Sequence, residues 1–274
     1  MLLIDGTYVI YKSFYRTKNI GKNITIHNDT HFKKIARNNF MKILKNIVEK
    51  CKYDHLFIVF DEDGENFRNE LLPSYKATRK EKEPELKVVK KEVYRFLESN
   101  HFCFQIANNV EADDLIASYI YQHPTEKIGV YTGDKDLAAL VNKNVTLFLD
   151  KDGKIQEVTI HNFHHFFNVP PPLFADFKSL QGDKSDNIKG VEGLFRTEAL
   201  HLLLEYGCIE TFFKEGKNHH LYDKLCPFEN QILLNKQVAT LKKDCFIAVQ
   251  NKNDALVSNY VFPHSYWNRK QQKK

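Results

Sequence analysis

Nine carboxylates fall in five short clusters along the 274 residues: Asp5; Asp61; Glu111, Asp113 and Asp114; Asp134 and Asp136; Asp183 and Asp186. Taken singly, each is also explained as a helix cap, a turn residue or the partner of a surface lysine. Brought together, they repel one another, and repulsion raises carboxyl pKa values unless cations neutralise the charge. The clusters offer oxygen donors only, a set that favours the hard ions Mg²⁺ or Mn²⁺ over zinc or copper. Two such ions about 3.5–4 Å apart activate water and stabilise the departing oxygen of a phosphodiester. The chemistry implied is metal-dependent phosphoryl transfer.

Several elements must position these groups. Apolar, β-branched and aromatic runs from Leu2 to Ile4, Leu56 to Phe60 and Ile128 to Tyr131 read as buried strands. They close on Asp5, Asp61 and Asp134, and helical patterns lie between them. A parallel sheet with crossover helices therefore carries these carboxylates to neighbouring strand ends, where open α/β sheets bind ligands. Glu111-Ala112-Asp113-Asp114 opens a helix whose amino-terminal dipole favours its acids. Asp183 and Asp186, three residues apart, are expected to face one way from a helical turn.

Between the first two strands, His31 to Cys51 reads as an amphipathic helix with Phe32, Ile35, Phe40, Ile43, Ile47 and Val48 on its apolar face. Its other face carries Lys33, Lys34, Arg37, Lys42, Lys45 and Lys50 with only Glu49 as counterweight, which suits either a phosphate-contacting surface or an ordinary solvated face. A polar stretch from Glu65 to Lys82 leads to a helix over Glu85 to Ser99 that begins just after Pro84. A short strand from Phe102 to Ile106 follows. After Pro170-Pro171-Pro172 the pattern turns to helices alone, over Phe174 to Leu180, Thr197 to Tyr206 and Asn230 to Leu241, so the prolines mark a boundary. Two parts are expected, 1–168 and 169–274, the second ending in a polar, basic tail with Arg269, Lys270, Lys273 and Lys274.

Forty Lys and Arg against 35 Asp and Glu leave a formal charge of +5, which permits an anionic partner without requiring one. That figure averages two opposed regions. With the nine clustered acids set aside, basic residues outnumber the remaining acids widely, as expected for a polyanion-binding surface around an acidic centre. The hydrophobic share of 42% supports a closed core. Five cysteines without CxxC or zinc-like spacing suggest a reducing compartment, the cytoplasm, and the start Met1-Leu2-Leu3-Ile4-Asp5 has no cationic leader. No membrane segment is expected.

Six segments, in order, carry a family resemblance: Leu3-Ile4-Asp5-Gly6; Val59-Phe60-Asp61; Phe67-Arg68 with Tyr75-Lys76 and Arg79; Glu111-Ala112-Asp113-Asp114; Thr132-Gly133-Asp134-Lys135-Asp136; and Gly182-Asp183 with Ser185-Asp186-Asn187. The chain resembles the 5′-nuclease family: the 5′–3′ exonuclease domain of bacterial DNA polymerase I, stand-alone bacterial 5′–3′ exonucleases and phage flap endonucleases. The resemblance implies an α/β fold, with a central mostly parallel sheet flanked by helices (a PIN-like 5′-nuclease core), a helical arch at about 66–94 and a C-terminal all-helical region. That region would contain a helix–three-turn–helix DNA-binding element at about 174–207.

By position, the resemblance assigns Asp5, Asp61, Glu111 and Asp113, with Asp134 nearby, to a first metal site, and Asp114, Asp136, Asp183 and Asp186 to a second. Two Mg²⁺ or Mn²⁺ ions are implied, and K⁺ near the helix–three-turn–helix. Lys76 and Arg79 would reach the scissile phosphate, with Arg68 and Tyr75 in the same catalytic segment. Tyr75 would stack on a base near the cut or else pack in the core. Lys189, Gly190, Gly193 and Arg196 would contact duplex phosphates. Phe195 stands where a further glycine is usual and no lysine stands near Thr197, so this contact should be weakened or rearranged.

The implied activity is Mg²⁺-dependent hydrolysis of DNA at 5′ flaps, nicks, recessed 5′ ends or single-strand/duplex junctions, and of RNA primers in RNA–DNA hybrids, by a monomer. A catalytically weak or inactive DNA-structure-binding protein of the same fold is the alternative. The complete acidic set argues against it, because a polyanion-binding surface has no use for clustered negative charge unless it holds metal. A haloacid-dehalogenase-type phosphatase needs an aspartate where Thr7 stands. A PIN-type ribonuclease would not require the Tyr75-Lys76-Arg79 segment.

Overall fold

The computed structural model describes residues 1–20, 29–151, 153–249 and 251–262. The basic tail expected at the C-terminus lies outside them.

The first half alternates strands and helices: β1 (Leu2–Asp5), α1 (Gly6–Ile20), α2 (Asp29–Cys51), β2 (Leu56–Phe60), α3 (Phe67–Leu71), α4 (Pro84–Ser99), β3 (Phe104–Ile106), α5 (Ala112–Gln122) and β4 (Ile128–Thr132). A hairpin of β5 (Val145–Lys151) and β6 (Lys154–Val158) follows. The six strands form one sheet in the order β3-β2-β1-β4-β5-β6, parallel throughout except for β6. Leu3 pairs with Phe57 on one side and Val130 on the other. Every residue of β1, β2 and β4 is buried, which is why these strands are unbroken apolar runs.

Alternation along β1 divides the core between two faces. Leu2 and Ile4 join Ile58 and Phe60 beneath α1, α2 and α4, whereas Leu3 joins Phe57, Val59 and Val130 against Leu115, Ile116 and Tyr119 of α5. Chain order reverses at the β1–β4 junction, a topological switch point of the kind at which open sheets hold ligands. Asp5 ends β1, Asp61 follows β2 and Asp134 lies just beyond β4.

Elements of the first half that go beyond the sequence expectation include helix α1, which leaves β1 with no loop, the short α3 and the β5–β6 hairpin. The basic face of α2 is also partly used internally, since Arg37 Nη1 bonds Glu92 Oε1 of α4 at 3.0 Å. The stretch expected to arch over the site, about 66–94, comprises α3, a run of turns at 73–79, an extended stretch and the start of α4. Helix α4 buries Leu86, Val89, Val93 and Leu97 in the core beneath the sheet.

The second half contains α6 (Phe174–Gln181), β7 (Gly182–Asp183), β8 (Ile188–Lys189), α7 (Arg196–Tyr206), α8 (Ile209–Glu215), α9 (Tyr222–Leu225) and α10 (Glu229–Ala239) around a separate apolar cluster. The expectation of helices alone is corrected by the antiparallel pair β7–β8. Gly190 makes that pair possible: a Cβ there would lie 2.3 Å from the Gln181 carbonyl carbon. After α10 the chain returns to the sheet. His55 and Leu256 form a β-bridge, and Tyr260 stacks on Phe102 with ring centres 4.3 Å apart.

Candidate active site

Strand ends and helix starts orient the first acids. Asp5 Oδ1 accepts the Tyr8 amide at 2.9 Å at the start of α1, and Oδ2 accepts the Thr132 hydroxyl at 2.9 Å. Asp61 Oδ1 accepts the Ala112 amide at 2.8 Å, joining the end of β2 to the start of α5, while the Asp61 amide donates to Thr7 Oγ1. The Asp134 amide donates to Thr132 Oγ1. Thr132 thus holds the ends of β1 and β4 in register, and Thr7 and Thr132 are positioning residues that carry no charge to betray them in the sequence.

Asp61 and Asp134 lie close enough to Asp5 and Asp113 to act on both of those carboxyls. No lysine, arginine or histidine forms an ion pair with any of the four among the described residues, although ion pairs engage the acids around them. Burial, followed by repulsion from Asp61, pushes the Asp5 carboxyl up to about 7. Burial, then Asp134, Asp5 and Asp61, push Asp113 well above the usual range. Four crowded carboxylates without a counter-cation are a fit for a hard divalent ion.

A second group lies alongside. Asp136, Asp183 and Asp186 each bring a carboxylate oxygen within 4.8 Å of the others. Asp183 and Asp186 do not sit on a helical turn as expected: Asp183 ends β7 and pairs with Ile188, and Asp186 lies in the turn that joins β7 to β8. There Asp183 Oδ1 accepts the Ser185 amide at 2.7 Å and hydroxyl at 2.6 Å. Lys178 of α6, which sequence reasoning missed, reaches all three acids; its Nζ lies 2.8 Å from Asp183 Oδ2 and 2.9 Å from Asp186 Oδ2, and it also pairs with Asp136. Burial works against ionisation of Asp183, but Lys178 and Ser185 prevail and hold it down to about 2. The available signal was a lone lysine among the apolar residues of α6, five positions before Asp183.

The cationic rim comes from the turns after α3. Lys76 has a left-handed backbone, φ 55°, and donates its amide to the Asp186 carbonyl at 3.0 Å. Its ammonium pairs with Glu111. Burial raises the Glu111 pKa, but Lys76 and Arg68 overcome this and leave it below its ordinary value. Arg79 Nη2 bonds Asp186 Oδ1 at 3.0 Å from an exposed position.

Burial bears on three residues of the expected site, and for Tyr75 it selects the core packing that the sequence left open. Asp114 is fully buried: its two oxygens accept Arg68 Nη1 and Nη2 at 2.7 and 2.8 Å, the Glu111 amide and the Lys242 amide. It has no face left for a metal. Arg68 is 2% exposed and also donates Nε to the Val238 carbonyl, so it ties α3 and α5 to the end of α10 and cannot reach a phosphate. Tyr75 is 4% exposed, packs with Ile188 and Val238, and donates its hydroxyl to Glu111 Oε2 at 3.1 Å. Its ring is core, with no face for a base.

A cleft of about 740 Å³ runs over Lys76, Asp113, Asp134, Lys178 and Asp183 toward Arg196. It continues into a shallower hollow containing Asp5, Tyr8, Tyr11 and Asp61, the two sharing Arg79, Asp134, Lys135, Asp136 and Asp183. At the far side, Lys189 and Gly193 are exposed on and after β8, and Gly193 needs its positive φ of 72°. Its carbonyl accepts Lys224 Nζ. Phe195 is 70% exposed before α7, and the Arg196 guanidinium lies 4.8 Å over the Phe177 ring. Among the described residues no helix is long and apolar enough to cross a membrane, and all five cysteines are free.

Comparison with known proteins agrees with this arrangement. Residues 1–167 match the profile of the 5′–3′ exonuclease N-terminal resolvase-like domain, and residues 169–259 that of the 5′–3′ exonuclease C-terminal SAM fold. A 5′–3′ exonuclease of Mycoplasmopsis pulmonis is 30% identical over 264 residues, covering 94% of this chain and 86% of its own. A 5′–3′ exonuclease of Mycoplasma pneumoniae is 31% identical over 252 residues, covering 90% and 84%. DNA polymerase I of Bacillus caldotenax is 30% identical over 251 residues, which make up 89% of this chain but only 28% of the polymerase. The fold is shared with a T5 5′-exonuclease structure that has zinc ions bound, at a TM-score of 0.67, 19% identity and coverage of 88% and 89%. The catalytic core of Rad2 in complex with DNA substrate shares it more distantly, at a TM-score of 0.52, 14% identity and coverage of 90% and 80%. The chain belongs to the 5′–3′ exonuclease family.

Proposed function

We propose that this chain hydrolyses DNA phosphodiesters at 5′ flaps, nicks, recessed 5′ ends and single-strand/duplex junctions, and RNA primers in RNA–DNA hybrids, using two Mg²⁺ or Mn²⁺ ions. The observation that carries this reading is the quartet Asp5, Asp61, Asp113 and Asp134, crowded at the sheet edge with no ion pair to a cation among the described residues, beside the triad Asp136, Asp183 and Asp186. The quartet would hold one ion and the triad the other, while Glu111, held ionised by Lys76, borders the first. When bound, such ions supply Lewis-acid stabilisation of the phosphate and a more acidic water.

This chain's own residues supply position and charge. Lys76 and Arg79 each hold a carboxylate at the cleft edge and can exchange it for a phosphate oxygen, placing positive charge where negative charge develops. Thr7 and Thr132 keep the strand-end acids in register. Residues 1–168 would form the hydrolytic part and 169–274 the duplex-binding part. There, Lys189, Arg196 and the turn at Gly190–Gly193 face duplex phosphates without base readout. Lys224 provides a cation on that turn, where the family resemblance implies K⁺.

The test is to present the purified monomeric protein with 5′-labelled flap, nicked and RNA-primed DNA duplexes in Mg²⁺ or Mn²⁺. Cleavage at the junction supports the reading. Intact substrates in both metals would sink it.

A further inference from the structure

The two carboxylate groups differ in one respect. Among the described residues the quartet makes no ion pair, whereas the triad already contains a cation: Lys178 Nζ meets Asp136, Asp183 and Asp186 at once, at 2.8 and 2.9 Å for the latter two. Three oxygens within 4.8 Å of one another around a single nitrogen form a cage about the size of an ion site, filled by an ammonium. Lys178 and Asp186 are sheltered, their side chains 15% and 9% exposed, while Asp136 is 42% exposed and opens the cage to solvent. The cage also spans the two parts of the chain, because Asp136 follows β4 whereas Lys178 lies on α6, Asp183 ends β7 and Asp186 lies in the turn between β7 and β8.

An ammonium and a divalent ion cannot share three oxygens. At such separations like charges repel strongly even in a polar medium. Lys178 lines the cleft of about 740 Å³, so its flexible stem has open space into which to move.

We propose that Lys178 is a built-in counter-cation of the second metal site: it holds the Asp136–Asp183–Asp186 cage closed without metal and is displaced into the cleft when a divalent ion enters. The inference rests on the two-ion reading above. Lys178 therefore weakens the second site relative to the first, and a displaced ammonium stands where a phosphate chain would pass, available to pair with it. Occupancy of the second site and seating of an anionic substrate become linked, each relieving a cost imposed by the same lysine.

The experiment compares metal-free wild-type protein with Lys178→Met, without substrate, by calorimetric Mn²⁺ titration and thermal melting. Lys178→Met should melt lower without metal, bind its second Mn²⁺ about tenfold or more tightly than wild type, and gain more in Tm on Mn²⁺ addition. A folded variant with unchanged or weaker second-site affinity overturns the proposal. If Lys178→Met does not fold, wild-type protein answers alone: a protected lysine ammonium resonance, absent from Lys178→Arg, should vanish as Mg²⁺ is added, and its persistence at saturating Mg²⁺ contradicts displacement. Failure of wild type to bind any divalent ion would contradict the two-ion reading itself, and this inference with it.

Discussion

Arg68 and Asp114 form a two-pronged ion pair, 2.7 and 2.8 Å, with both side chains out of water. It locks α3 to α5; Arg68 Nε also bonds the Val238 carbonyl near the end of α10, and Asp114 also accepts the Glu111 amide at the start of α5 and the Lys242 amide beyond α10. Removing one partner of such a pair strands a buried charge, at a cost of about 3–5 kcal/mol. Arg68→Ala should therefore lose about that much stability in urea unfolding. In Asp114→Asn, stability should fall while Mn²⁺ stoichiometry stays that of wild type. Loss of one metal equivalent with stability intact would restore Asp114 to the ligand set.

The quartet makes a pH signature. Asp5, raised to about 7, and Asp113, raised well above its usual value, hold protons in the folded metal-free protein that the unfolded chain has released. The folded state then binds more protons between about pH 4 and 7, so metal-free stability should fall as pH rises through that window, by on the order of 2–4 kcal/mol. Asp183 and Glu111, held low, contribute stability that is lost only below their ordinary carboxyl values and do not cancel this fall. Melting curves in EDTA from pH 4 to 8 should show the decline, and saturating Mg²⁺ should remove it. Asp113→Asn should flatten the profile even without metal.

Arg79 is exposed and contributes little to packing. Arg79→Ala should keep the wild-type Tm and lose about 10²–10³ in single-turnover cleavage rate, the usual size for removing one transition-state donor. Tyr75→Phe should retain nearly full rate, because the ring is core and only one hydrogen bond to Glu111 is lost. A large loss of rate from Tyr75→Phe with normal folding would assign the hydroxyl a role at the phosphate.

How much of this was legible beforehand follows from what each residue depends on. The buried strands stood out because both faces of a central parallel sheet demand apolar runs, and the acids ending them interrupt those runs visibly. Helix α1 was not legible: its first residue follows β1 without a turn, and tyrosines and lysines dilute its apolar stripe. In the β5–β6 hairpin only β6 is polar enough to hide; β5 is an apolar run, Val145 to Leu149, that the sequence did display. In the site, residue types revealed which groups could bind metal, but not which had been used up. Nothing in the sequence near Asp114 announces that Arg68, far along the chain, takes both its oxygens, nor that Lys178 fills the triad. Charge pairing at long range is a property of the fold. Burial of Tyr75 likewise depends on Ile188 and Val238, more than a hundred residues away.

The turn at Gly190–Phe195 offers a separate check on duplex binding. If Lys189 and Arg196 each neutralise a phosphate, Lys189→Ala and Arg196→Ala should each reduce the slope of log K against log salt by about 1, with little dependence on sequence. Phe195, exposed at the start of α7, occupies surface without supplying charge. Phe195→Gly should therefore leave the slope unchanged. Binding isotherms on nicked duplex in EDTA from low to moderate salt measure both.

The central claim is that the quartet and triad hold ions which hydrolyse DNA. Its most direct measurement is single-turnover cleavage of a 5′-flap duplex by wild type and Asp134→Ala across a Mg²⁺ titration, with unfolding followed in parallel. Wild type should cleave at the flap junction only when Mg²⁺ is present. Asp134→Ala, removing one acid from the quartet at an exposed position, should fold normally, bind the flap and lose at least about 10³ in rate at every Mg²⁺ concentration. Undiminished cleavage by Asp134→Ala, or cleavage by wild type in EDTA, would contradict the account.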